Sequence, residues 1–453
     1  MKEFKYDVFF IPLLRKMEGF SMKLKIIVIS LFFLLFFGNF MVHAESEWEI
    51  ECISESYVRG PSVKVDNENH PHISYSFFSD GKWFLTYAFS DGNNWTIEHL
   101  REIGDKTYTS LDLDVFYIPH ICYTDDIDEK LSYFYFTNIG WYNAPIDDVG
   151  RGYGGFYSDL VIDNSNLPHI IYDYPLGHRD YGDLMYATFK PEGSWNYKEV
   201  KEYNGHFDYS LAVDSLNRPH ISTFNGKDHL IYMYYNGGNW IVETVVPDKW
   251  ECGATCKLAL DQQDNPHIVY YDSSEYWKYN PGIGESCPYS PVGEIKYAYH
   301  DGDKWNYETI IEDGIDEISF LILDSNDHPH FSYSSSKGDD SYLYYVFYDG
   351  IDWNFEVVYS DENYSSPVLD LDNHDKPHIV FEEWKNNEHK LKYATMLNYV
   401  KENKTNDIDW NFSGDDSNKN NYRIKTPYIP GFEVNILIVL MIFLLYFKRR
   451  KYI

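Results

Sequence analysis

Seven times the chain sets a histidine directly after a proline and six residues after an aspartate. The pairs are Asp66 and His72, Asp114 and His120, Asp163 and His169, Asp214 and His220, Asp261 and His267, Asp324 and His330, and Asp372 and His378. A ring of histidines could ligate a metal ion. An active site, however, occurs once, and a position filled seven times serves the fold. Proline lacks a backbone N–H and sits well at the first residue of a strand. The aspartate before it can accept backbone N–H bonds in the intervening turn. The expected histidine is therefore buried and hydrogen-bonded, pinning the turn or the next repeat.

Departures from the repeat are better candidates for a site. The stretch "DSSEYWKYNPGIGESCPYSPVGE", residues 272–294, lengthens one repeat to 63 residues where the others run 47–51. Asp272 and Glu275 offer carboxylate oxygens, and Tyr276 and Trp277 offer flat apolar faces for a sugar ring or a peptide side chain. Asp125 and Trp384 belong to connections expected on the same face. A ligand is expected there. No cofactor is expected, although these oxygens suit Ca2+. Catalytic residues stay unknown, since no Gly-x-Ser-x-Gly, His-Glu-x-x-His or phosphate-binding loop is present. A carboxylate pair for glycoside hydrolysis could still sit among the loops.

The elements that must carry these residues are strands. Each unit of about 48 residues has an alternating run ending at the Asp, as in "SVKVD", and a second run after the Pro, as in "HISYS". A third run carries Tyr87, Tyr133, Tyr186, Tyr232, Tyr297, Tyr345 or Tyr393, and a fourth opens on Trp95, Trp141, Trp195, Trp240, Trp305 or Trp353. Turn pairs such as Asp91-Gly92 and Asp301-Gly302 join the last two as hairpins. A repeat of this length with four strands reads as a propeller blade. The seventh unit lacks its Trp strand, while "WEIECI", residues 48–53, stands alone before the first. The expected fold is all-β: a seven-bladed β-propeller of four antiparallel strands per blade, closed by strand 48–53 completing blade seven. The Tyr and Trp positions should pack blade against blade.

The net charge of -33 argues against nucleic acid as a partner. Residues 1–44 read as a secretory signal, with Lys23 and Lys25 before an apolar core and Val42-His43-Ala44 at its end, the true start being Met17 or Met22 on one reading. The propeller should span 45–398, a polar stalk 399–429, and a C-terminal segment 430–453 whose apolar run Val434–Phe447 precedes Lys448, Arg449, Arg450 and Lys451. That order keeps the basic end in the cytoplasm and the bulk of the chain outside. Outside the cell, Cys287 should bond to Cys252 or Cys256, with a three-thiol zinc site as the other reading. Cys52 and Cys122 are expected to be buried and unpaired. Asn94, Asn363, Asn403 and Asn411 begin Asn-x-Ser/Thr sites that can carry glycans.

Pro430-Gly431-Phe432-Glu433, followed by the short apolar run and the basic tail, resembles the Pro-Gly-Phe sorting signal of archaeal cell-surface proteins. That resemblance implies recognition by an archaeosortase, cleavage near the tripeptide and attachment to a membrane lipid. Turns such as "SDGNNW", residues 90–95, look a little like the Asp-boxes of sialidases, but their spacing departs from that pattern. The leading expectation is a membrane-anchored, extracellular, monomeric propeller that binds a glycan or a surface protein. The alternative is a carbohydrate-active hydrolase or lyase of the sialidase-like kind.

Overall fold

The computed structural model describes residues 48–397 except 105–107, 126–129, 149–157, 175–182, 190–193, 202–208, 225–228, 247–254, 273–292, 315–317, 338–339, 362–363 and 386–387. Each repeat forms one four-stranded antiparallel sheet, giving seven blades. Blade one comprises Val58–Val65, Pro71–Ser79, Lys82–Ser90 and Trp95–Ile103, and blade two Thr109–Leu113, Pro119–Asp125, Lys130–Thr137 and Gly140–Asp148. Blades three to six follow the same order. Blade seven takes Tyr364–Leu371, Pro377–Lys385 and Glu388–Met396 from the end of the propeller and Trp48–Ser54 from its beginning. Trp48 pairs with Met396 and Glu51 with Tyr393, so the ring closes between the two ends of the domain as the sequence predicts.

The first strands of successive blades lie side by side around the axis. The apolar core therefore sits between blades. At the closing seam Val58, Val63 and Tyr75 of blade one pack with Val368, Leu391 and Tyr393 of blade seven.

The opening Asp of each turn accounts for the motif. One oxygen of Asp66 accepts the N–H groups of Glu68 and His70, both at 2.8 Å, and the other six aspartates repeat this at the same two offsets. The third residue after each Asp is left-handed, with φ from 59° to 66°. Asn or Asp fills that position in every blade except the second, which has Tyr117.

All seven histidines are buried. Their Nδ1 atoms meet the tyrosine hydroxyls of the third strand, at 2.6 Å for His72 and Tyr87 and 2.7 Å for His169 and Tyr186. Their Nε2 atoms face the turn aspartate, at 3.2 Å in His169 and His220. An ionised carboxylate only accepts, so Nε2 carries the proton and Nδ1 accepts from the tyrosine. Each of these tyrosines in turn meets the tryptophan of the next blade, as Tyr87 meets Trp141 at 5.0 Å and Tyr393 meets Trp95 at 5.3 Å. The relay of Asp, His and Tyr thus pins the turn and presents an aromatic face to the neighbouring blade.

Cys122 is buried and meets Ser158 at 2.9 Å, and burial pushes its thiol up to about 12. Cys52, expected inside, is exposed, because it belongs to the outermost strand of blade seven. Asn94 lies in an exposed hairpin turn, while Asn363, Asn403 and Asn411 fall outside the described residues.

Candidate functional site

The connections from second to third strand, and from fourth strand to the next blade, open on one face of the ring. On that face, at the seam of blades seven and one, five side chains converge: Tyr57, Arg59, Trp83, Trp384 and His389. Trp384 and His389 are directly paired across the second and third strands of blade seven, with rings 4.7 Å apart. Tyr57 lies over His389 at 3.6 Å, stands 6.1 Å from Trp384 and meets Trp83 edge-on at 5.5 Å. The Arg59 guanidinium sits 5.1 Å from the Trp83 ring centre and 5.5 Å from that of Tyr57. Trp384 is 40 % exposed, so part of its side chain is within reach of a ligand.

A bulge between Arg59 and Ser62 sets this arrangement. Gly60 takes φ +53°, and a Cβ there would lie 2.7 Å from the Tyr108 ring. Its N–H donates to the Glu382 carboxylate of blade seven at 2.9 Å, which ties Arg59 to the seam. Burial, with the charge of Arg59 near it, lowers the His389 pKa. Its Nδ1 is enclosed and has no hydrogen-bond partner. Glu383 is buried and engaged by Lys392 at 2.6 Å and by the Tyr359 hydroxyl. Glu382 and Glu383 are thus held by the protein, and the site presents aromatic rings beside a guanidinium.

A second polar group lies on the axis. The first strands enclose a cavity of about 230 Å3 lined by residues including Lys64, Ser110, Asp159, Lys257 and Asp370. Carboxylates of the first strands cap the inner strand edges: Asp370 and Asp159, which line the cavity, accept from the Val65 and Leu211 N–H groups, and Asp112 accepts from Ile162, all within 2.8 Å. Burial opposes the Lys64 ammonium, yet Asp112, Asp370 and Asp159 outweigh it and hold its pKa above the ordinary value. Each acid here already serves a strand edge. Among the described residues no group of three or more His, Cys, Asp or Glu side chains could hold a metal ion.

Of the residues singled out from sequence, Trp384 lies in the aromatic cluster. Asp125 ends the second strand of blade two on the same face. Asp272 ends the second strand of blade five and is buried against Lys296, which also meets Glu294 at 2.8 Å. Glu275, Tyr276, Trp277, Cys252 and Cys287 lie outside the described residues, and Cys256 is buried with Ser222 donating to its sulfur.

Tyr57, Arg59, Trp83 and His389 were not anticipated. A signal for them exists: of 12 tryptophans, seven hold the repeated ring position, leaving Trp83, Trp250, Trp277, Trp384 and Trp410. Trp83 and Trp384 lie beside connections on the one face, and Trp250, Trp277 and Trp410 fall outside the described residues.

No family profile matches the sequence, and no curated protein matches it. Solved structures do. A polysaccharide lyase of family PL25, an ulvan lyase bound to -[GlcA(1-4)Rha3S]-, aligns with TM-score 0.53 at 10% identity, covering 75% of this chain and 94% of its own. The polysaccharide lyase Uly1 aligns with TM-score 0.50 at 9% identity, covering 78% and 99%. At these identities the likeness is one of fold.

Proposed function

We propose that the chain is an exported binding module that holds a glycan against Trp384, Tyr57 and Arg59 at the seam of blades seven and one. The observation that carries this reading is a partly exposed indole set at a tilt against two aromatic rings, beside a guanidinium. Sugar rings have an apolar face that stacks on indole and phenol, and rim hydroxyls that pair with planar donors. The fold likeness to two proteins named as polysaccharide lyases supports the ligand class. Export and attachment at the cell surface, read from the chain ends, belong to the same proposal. A glycan array probed with residues 45–398, followed by calorimetry on the hits, tests it. Trp384→Ala should weaken a hit at least tenfold. An array without hits, or unchanged affinity in Trp384→Ala, overturns it.

A second reading, glycan cleavage by elimination, is favoured by the same fold likeness and by the half-buried His389 imidazole near the Arg59 guanidinium, a pairing of a base with a cation. Release of unsaturated product from an array hit, lost in His389→Ala, would establish it. Binding without product leaves the first reading standing.

A further inference from the structure

Blade two differs from the rest at its turn end, on the face opposite the candidate site. Its first turn reads Val115-Phe116-Tyr117, with exposures of 50, 72 and 40 %. The hairpin between its third and fourth strands adds Phe136 at 42 % and Ile139 at 92 %. Both turns sit at the same end of the sheet, since Leu113 pairs with Pro119, His120 with Tyr135 and Phe136 with Trp141. The equivalents of Phe116 in the other turns are Glu68, Ser165, Leu216, Gln263, Asn326 and His374. Only Leu216 is also apolar, and it too projects, at 69 % exposure.

This blade end combines two unfavourable features. A tyrosine occupies the left-handed position, which Asn or Asp tolerates better. Large apolar side chains face water in a chain of net charge -33, yet residues 115–118 and 136–142 carry no charged group. We propose that this end of blade two contacts a lipid surface, with Phe116 and Ile139 entering the interfacial layer. Aromatic and aliphatic side chains without charge are the chemistry of that layer.

The path of the chain selects the occupant. Trp48 and Met396 are paired at the edge of blade seven. The third strand of each blade runs toward the turn end, so the chain after Met396 leaves from the face that carries Phe116. The 36 residues 398–433 then lead to the apolar run Val434–Phe447 and its basic tail. A tether of this kind raises the effective concentration of the turn face at a membrane. In that orientation Trp384 and Arg59 face away from the bilayer.

Residues 48–396 supply every strand of the seven sheets, so residues 45–398 can be tested without either apolar terminal segment. The probe is phosphatidylcholine vesicles in a co-sedimentation assay. The domain should pellet with them, with little change at high salt, because the contact is apolar. Phe116→Ser/Ile139→Ser should reduce partitioning at least tenfold, while Ile351→Ser, an isolated exposed residue in the blade-six hairpin, should not. Melting curves check that each variant is folded, and Phe116→Gln alone repeats the test if the double variant is not. The proposal falls if the domain stays in the supernatant, if the double variant binds as wild type, or if salt abolishes binding. It also falls if the vesicle-free domain is a dimer that the double variant converts to monomer, since a second copy then covers the patch.

Discussion

Trp48 stands edge-on to Tyr345, the ring centroids 5.7 Å apart and the planes at 76°. Trp48 begins the closing strand of blade seven, and Tyr345 belongs to blade six. The same contact recurs from Trp95 on Tyr393 to Trp353 on Tyr297, so the closing strand makes the ring contact that every other blade makes. Trp95 and Trp141 further donate to Glu51 and Glu98 on the outer strand of the preceding blade. Truncation of a half-buried tryptophan here should cost about 2–3 kcal/mol. Urea unfolding of Trp48→Ala measures it, and an unchanged midpoint would show that this strand does not hold the ring closed.

The buried histidines make the fold acid-sensitive. Burial drives the His72 pKa down to about 4 against the pull of Asp66, and it lowers those of His120, His220, His267 and His330. The folded pKa lies below the unfolded value of about 6.5, so the unfolded chain binds more protons as pH falls. Stability is full above pH ~6.5 and declines as pH drops toward the folded values. His72 alone accounts for about 3 kcal/mol by pH 4. The turn aspartates extend the loss: burial opposes their charge, but histidine and backbone donors hold Asp163, Asp214 and Asp372 below the usual carboxylate range. Urea midpoints from pH 8 to 4 should fall steadily, and a flat profile would contradict neutral, buried imidazoles.

The blade architecture was legible because each blade solves the same problem. Asp, Pro, His, Tyr and Trp recur at fixed spacing since one turn, one buried relay and one ring contact recur with them. The lone strand at Trp48 was readable for the same reason, as the missing member of a set. The candidate site at the seam was less legible. Trp384 stood out, but Tyr57 and Arg59 precede the first motif, and their convergence with His389 depends on the closing of the ring. Cys52 misled because a strand at the outer edge of its blade leaves side chains in solvent, and the expected burial ignored that place. Asp272 looked like a loop carboxylate, yet it falls within its strand and turns inward to Lys296.

Tyr117 stands where the turns of neighbouring blades are linked elsewhere. In blades two, four, five and six the turn residue after the Asp donates its N–H to the left-handed Asn or Asp of the next blade, as Ser215 does to Asp264 at 2.8 Å and Ser325 to Asp375 at 2.8 Å. A tyrosine side chain cannot accept that bond in the same place. Tyr117→Asn should relieve the backbone and restore the link, raising stability by about 1 kcal/mol. Vesicle binding should weaken in the same variant. A melting temperature at or below wild type would remove strain from the account of blade two.

Gly60 connects stability to the proposed site. A side chain there meets the Tyr108 ring at 2.7 Å and its Cα at 2.8 Å, and φ +53° already disfavours any L residue. Backbone must therefore move, which should cost about 2–4 kcal/mol. Because the Gly60 N–H holds Glu382 across the seam, the movement carries Arg59 away from Trp83. Gly60→Ala should lose both melting temperature and glycan affinity. Trp384→Ala, at an exposed position, should lose affinity with nearly unchanged melting. If Gly60→Ala keeps full affinity for a ligand that Trp384→Ala has lost, Arg59 takes no part in holding it and the contact rests on the aromatic rings alone.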